Sequence, residues 1–156
     1  MMARIRKQLA KEDEGFTLIE LLVVMIIIGI LAAIAIPIFL SQRAKAQDSA
    51  AKADVSTLGK ELATYFVDGL DMPAVTATTA TTADPSRYMV NDVDVGKVSA
   101  NVVLGSLSLD AADSTNWCVS VYNLSGDIAE SDGYKYSAQG GLEVGQCRGI
   151  AIGSAV

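Results

Sequence analysis

Glu20 is the residue whose chemistry most needs an explanation, because a single carboxylate stands at the head of a long apolar run. From Leu21 to Gln42 no residue carries a charge, and a helix rising about 1.5 Å per residue over that stretch spans roughly 33 Å, enough for a bilayer core. An acid at the centre of a bilayer costs about 2.5–3.5 kcal/mol on insertion scales, less near the interface, so Glu20 calls for a partner. The remaining chemistry-bearing residues are few. Cys118 and Cys147 are the only cysteines, and the chain has no histidine, which removes the usual general base and the commonest metal ligand. Two cysteines without histidine make no zinc site. Asp127, Glu130 and Asp132 crowd one loop and Asp92 and Asp94 another, but neither completes a calcium-loop spacing, and solvated acidic turns are the better reading. No nucleophile stands with a base and an orienting partner, and there is no phosphate loop, so no catalytic residue, metal or cofactor is expected.

The elements that position these residues follow from composition. The chain has 156 residues and a net charge of -6, room for a membrane segment and one small domain. The first fifteen residues carry a net +1, with Arg4, Arg6, Lys7 and Lys11 leading, and the rest carries -7. An acidic body argues against nonspecific nucleic-acid binding. The basic leader favours an N-terminus kept in the cytoplasm with the rest exported. As a secretory signal the apolar run is too long, although Ala33-Ile34-Ala35 mimics a cleavage site.

Gly15-Phe16-Thr17-Leu18-Ile19-Glu20, followed by an apolar helix with Gly29 and Pro37, resembles the class III signal of type IV prepilins and pseudopilins. The resemblance implies cleavage between Gly15 and Phe16 by a cytoplasmic-face prepilin peptidase and N-methylation of Phe16. It also implies that Glu20 neutralises the terminal amine of a neighbouring subunit during assembly. A cation and a carboxylate in low-dielectric surroundings attract strongly while each is costly alone, so an ammonium at Phe16 gives Glu20 a partner, either that of its own chain or that of a neighbour. The bland alternative is an acid that snorkels to the interface under the helix dipole. Gly29 and Pro37 both weaken a helix interior, and in the resembling family the bracketed region loses helical order in filaments; frequent Gly and Pro in membrane helices is the plainer explanation.

Beyond the bilayer, Ala51, Val55, Leu58, Leu62, Tyr65 and Phe66 recur at helical spacing, predicting one packed face, with Lys45, Asp48, Lys52, Asp54, Lys60 and Glu61 on the wet face. Asp68-Gly69 is the expected stop, giving one helix from Phe16 to Asp68 of roughly 80 Å. The run from 73 to 85 is rich in Thr and Ala, closed by prolines, and reads as an exposed, variable connecting loop, with O-glycans on its threonines as the lesser alternative. From Tyr88 short alternating strands are expected at Tyr88 to Val95, Lys97 to Leu109, Trp117 to Leu124, Tyr134 to Ala138 and Leu142 to Cys147, as an antiparallel meander. Trp117, Val119 and Val121 are expected to pack on the helix stripe. In an exported domain Cys118 and Cys147 read as a disulfide worth roughly 3–4 kcal/mol, with two reduced core thiols as the alternative. Asn123-Leu124-Ser125 fits a glycosylation sequon.

The expected architecture is therefore an α+β pilin fold: a leader over 1–15, a long helix over 16–68 whose 16–40 part is transmembrane or filament core, a connecting loop over 69–87, and a small antiparallel sheet domain over 88–156. The expected function is the structural, non-enzymatic subunit of a type IV pilus, a homopolymer serving adhesion, motility or DNA uptake. Its implied partners are prepilin peptidase, the assembly platform with its ATPases and the cytoplasmic membrane. The expected location is the bacterial cytoplasmic membrane before assembly and a surface filament after it. The alternatives are a minor pilin or pseudopilin of a secretion or competence system, and a single-pass anchored binding domain in which Glu20 has no assembly role.

Overall fold

The chain was described from a computed structural model, which covers residues 15–68, 75–77, 86–109 and 115–148. It divides into two compact units, Met1–Leu40 and Ser41–Val156. Helix α1, Leu18–Asp68, contributes to both. Its first part belongs to the first unit, is apolar enough to cross a membrane, and leaves Leu21, Ile26, Ile30, Ile34 and Phe39 all exposed. A helix apolar on every side needs lipid or other chains around it. The helix runs unbroken through Gly29 and Pro37.

The second unit packs the remainder of α1 on two antiparallel sheets. Strands β1 (Val75–Ala77), β2 (Arg87–Val90) and β3 (Val93–Lys97) form a three-stranded sheet in chain order. Strands β4 (Val102–Leu109), β5 (Trp117–Asn123), β6 (Tyr134–Ser137) and β7 (Gly141–Val144) form a four-stranded one, also in chain order. A short helix α2, Ile128–Ser131, lies between β5 and β6. The core joins Ala51, Val55, Leu58 and Leu62 of α1 to Tyr88, Val90, Val102, Trp117, Val119, Val121 and Tyr134 of the sheets. The helix stripe and the Trp117 strand thus meet as the spacing predicts.

The strand layout is finer than the sequence pattern suggested. The run from Tyr88 to Val95 is a hairpin, because Asn91 and Asp92 adopt positive φ of 49° and 62°, the two-residue turn whose twist matches paired strands. The run from Lys97 to Leu109 is likewise broken, with Asn101 at φ 64° just before β4. Within the expected Thr/Ala loop, Val75–Ala77 pairs with β2, while 78–85 lies outside the described residues. At Gly59 the Tyr136 side chain lies directly against the helix backbone, so close that a Cβ would sit 2.3 Å from its ring. Tyr136 continues a stack with Trp117 and Phe66, ring centroids 6.1 and 6.2 Å apart.

One expectation about the helix is corrected. Lys45, Lys52, Lys60 and Glu61 are exposed as predicted, but Asp48 and Asp54 are only 5% and 6% exposed. Each is buried because neutral donors from the sheet domain fill its acceptor sites. Asp48 accepts the main-chain N–H groups of Asp127, Ile128 and Ala129 at 3.0, 3.3 and 2.9 Å. Asp54 accepts the Tyr88 hydroxyl at 3.0 Å and the Ser99 N–H and hydroxyl at 2.8 and 2.7 Å. Burial, with the Asp54 carboxylate second, pushes the Tyr88 hydroxyl far above the usual phenol range.

Candidate functional site

The candidate site is the start of α1. Gly15, Phe16 and Thr17 are not helical, and Phe16 is 87% exposed. The Gly15-Phe16 peptide bond thus lies just ahead of the helix, next to an exposed phenylalanine. Thr17 stops the helix there. Its hydroxyl accepts the Glu20 N–H at 3.2 Å, and its own N–H and hydroxyl donate to Glu20 Oε2 at 2.8 and 2.7 Å. This reciprocal arrangement is a capping box, which satisfies amide donors that a helix start otherwise leaves unpaired. The first helical bond, Leu21 N–H to Thr17 O at 3.2 Å, follows from it.

Glu20 therefore has a role within the chain besides the expected charge pairing. The signal was present, since Thr17-Leu18-Ile19-Glu20 has the Ser/Thr-x-x-Glu spacing of a capping box ahead of an apolar run. Both bonds reach one oxygen, and among the described residues Oε1 takes none. The carboxylate can hold the helix start and still offer an acceptor to a cation. Phe16, Ile19, Glu20, Val23 and Val24 line one shallow, almost wholly apolar hollow. Gly29 and Pro37 lie further along the same helix, away from this cluster; a Cβ at Gly29 would meet nothing within 4 Å.

The other site residues lie in the second unit. Cys118 on β5 and Cys147 after β7 form a disulfide with Cα atoms 5.7 Å apart, tying the end of the described chain to the central strand. The same segment is held by Ser106 Oγ, which donates to the Cys147 carbonyl at 3.1 Å. Among the described residues no group of three or more acidic, Cys or His side chains is placed to hold a metal ion. Asn123 of the sequon is fully buried and donates to the main-chain and side-chain oxygens of Gln47 at 3.0 and 2.9 Å, so its amide serves packing. Beside the acidic β2–β3 turn, the Arg87 guanidinium pairs with Asp94 and holds that carboxyl below the usual carboxylate range.

A family model described as the prokaryotic N-terminal methylation motif matches residues 11–36. The chain is 38% identical over 64 residues to type II secretion system core protein G of Pseudomonas aeruginosa, covering 41% of this chain and 45% of that protein. It is 39% identical over 91 residues to type IV major fimbrial protein FimA of Dichelobacter nodosus, covering 58% and 52%. With fimbrial protein EcpC of Eikenella corrodens it is 36% identical over 96 residues, covering 62% and 63%. The chain spans 45% to 63% of the length of these curated relatives. No solved structure matches it. The exposed Phe16, the capped acid and the apolar helix start fall within the matched motif, and the chain is similar in part to type IV fimbrial proteins and to core protein G of a type II secretion system.

Proposed function

We propose that the chain is the major structural subunit of a type IV pilus, held in the cytoplasmic membrane by the first part of α1 and then polymerised through it. In this reading a prepilin peptidase cuts between Gly15 and Phe16 and methylates Phe16. The new ammonium of one subunit meets Glu20 of another, and the assembly platform with its ATPases supplies the subunits. The N-terminus lies on the cytoplasmic side and the mature chain ends in an extracellular filament serving adhesion, motility or DNA uptake. The observation that carries the reading is the exposed, uncharged span after Glu20. Lipid covers it before assembly and copies of itself cover it after. The leader of 1–15, the helix of 16–68, the connection of 69–87 and the sheet domain of 88–156 are its working parts, and none of them is catalytic.

A second reading, a pseudopilin in a secretion machine, is favoured by the likeness to core protein G of a type II secretion system. Electron microscopy of sheared surface filaments, with mass spectrometry of the main band, separates the two. Under the first reading this chain is the main band; recovery of filaments built from another protein would select the second. Glu20→Ala is expected to insert into the membrane normally yet reduce filament yield at least about tenfold, as loss of a desolvated charge partner implies. Normal filaments from that variant would refute Glu20 as the assembly acid.

A further inference from the structure

Ser108, Cys118 and Ser137 stand in one cross-strand row on β4, β5 and β6, where Cys118 is the register partner of both serines. Side chains alternate across a strand, so this row faces away from the core side that Trp117, Val119 and Val121 occupy. The bond from Cys118 to Cys147 carries the segment after β7 over the same face. Between them lies a cleft of about 490 Å³ with a mostly polar lining, a volume in the range of small-molecule sites.

The cleft collects donors that other bonds leave over. Gln146 Oε1 accepts the Tyr122 hydroxyl at 3.0 Å, and its side-chain amino group has no partner among the described residues. Ser137 Oγ accepts the Gly140 N–H at 3.0 Å and keeps its own proton to donate. Ser108 and Gln139 add a hydroxyl and a second amide. Two cations, Lys135 and Arg148, line the same space, and no Asp or Glu among the described residues does, in a chain that carries -7 after residue 15. Arg148 has no hydrogen bond or ion pair among the described residues. Its neighbour Cys147 is pinned by the disulfide and by Ser106 Oγ on its carbonyl, so the guanidinium starts from a fixed backbone. Lys135 Nζ is 3.3 Å from Glu143, but that exposed pair is weak and engages one of three ammonium protons.

We infer that this cleft binds a small, soluble phosphate monoester, with Arg148 and Lys135 on the phosphoryl oxygens and the Ser108, Ser137, Gln139 and Gln146 donors around them. A phosphate monoester carries a charge of about -1.5 to -2 near neutral pH, which two cations offset. Its tetrahedral oxygens accept from several directions, as donors arriving from β4, β6 and the segments after β6 and β7 require. A guanidinium fork bonds two of those oxygens at once. The polar lining gives acyl chains little to pack on, which favours a soluble ester over a lipid headgroup. The site lies within the second unit and stands whether or not the chain polymerises.

Calorimetric titration of glucose 6-phosphate into the full-length chain, held in a maltoside detergent, tests the site. Saturable binding tighter than about 1 mM is expected, with glucose and glucuronate each at least about tenfold weaker because neither presents a dianion. Arg148→Ala should weaken binding at least about tenfold, and Arg148→Lys, which keeps the charge and loses the fork, about threefold. Lys135→Ala should weaken it at least about threefold. Lys97→Ala, on an exposed residue of β3 in the other sheet, should leave it unchanged. Urea midpoints of the variants that match the native chain show that the losses are not losses of fold. No saturable heat from glucose 6-phosphate, equal affinity for glucose, or native affinity in both Arg148→Ala and Lys135→Ala overturns the site. Tighter binding of dihexanoyl phosphatidic acid than of the sugar phosphate overturns the soluble ester in favour of a lipid headgroup.

Discussion

Asp48→Ala tests whether one buried carboxylate docks the sheet domain on the helix. In the structure the Asp48 carboxylate accepts three main-chain amides that lie about 80 residues downstream, and no cation is paired with it among the described residues. The Ala129 amide is in a buried bond, so leaving it unpaired costs about 1–3 kcal/mol. The amides of Asp127 and Ile128 are in part-buried bonds and regain water when freed, losing about 0.5–1 kcal/mol each. Returning the buried charge to solvent offsets part of this, leaving a net destabilisation of about 2–4 kcal/mol. With a urea slope of about 2 kcal/mol per molar, the unfolding midpoint should fall by about 1–2 M. Trp117 is the only tryptophan, is 4% exposed and sits in the Phe66 and Tyr136 stack, so its fluorescence reports the transition. Arg43→Ala, on the exposed side of the same helix, is the control and should move stability by less than about 0.5 kcal/mol. The decisive companion is hydrogen exchange at the Ala129 amide, which should lose protection beyond the global change. A midpoint shift no larger than the control, or unchanged protection at Ala129, would refute the docking role.

Gly59→Ala should destabilise despite the better helix propensity of alanine: a gain of about 1 kcal/mol is outweighed by moving the Tyr136 ring, at a cost of about 1–3 kcal/mol; thermal unfolding of the two proteins decides the sign. Tyr88→Phe should change the alkaline limb of the stability curve. The folded Tyr88 is held protonated by burial and by Asp54, so its contribution is full below the unfolded phenol value of about 10 and is lost as pH rises beyond it. Urea midpoints from pH 8 to 11 should therefore fall more steeply for the native chain than for Tyr88→Phe, and parallel curves would contradict the assignment.

Much of the function-bearing part was legible in the chain because it rests on local pattern. The uncharged span, the Gly15-Phe16 junction and the acid at Glu20 need no tertiary contact to be recognised. The Ala51, Val55, Leu58, Leu62 stripe was readable for the same reason. Asp48 and Asp54 were not, although Asp48 extends that stripe by one step of three and Asp54 sits three positions past Ala51. Charge type outweighed spacing, because the donors that make burial tolerable belong to loops far along the chain. The division into two sheets was equally hidden, since it depends on which strands pair and not on the alternation of any one of them. Asn91-Asp92 carries a turn signal in its residue types, but apolar residues recur on both sides of it from Tyr88 to Val95 and hide the hairpin. The capping box at Thr17 is local, but one carboxylate serves both it and the expected assembly charge, and its spacing alone does not separate the two roles.

The central claim is that this chain is processed at Gly15-Phe16 and assembles through the helix so exposed. Intact-mass and N-terminal fragment analysis of subunits from sheared filaments tests it most directly. The account predicts a chain beginning at Phe16 and carrying one added methyl group. Subunits that retain Met1, or that begin after Ala35, would contradict it.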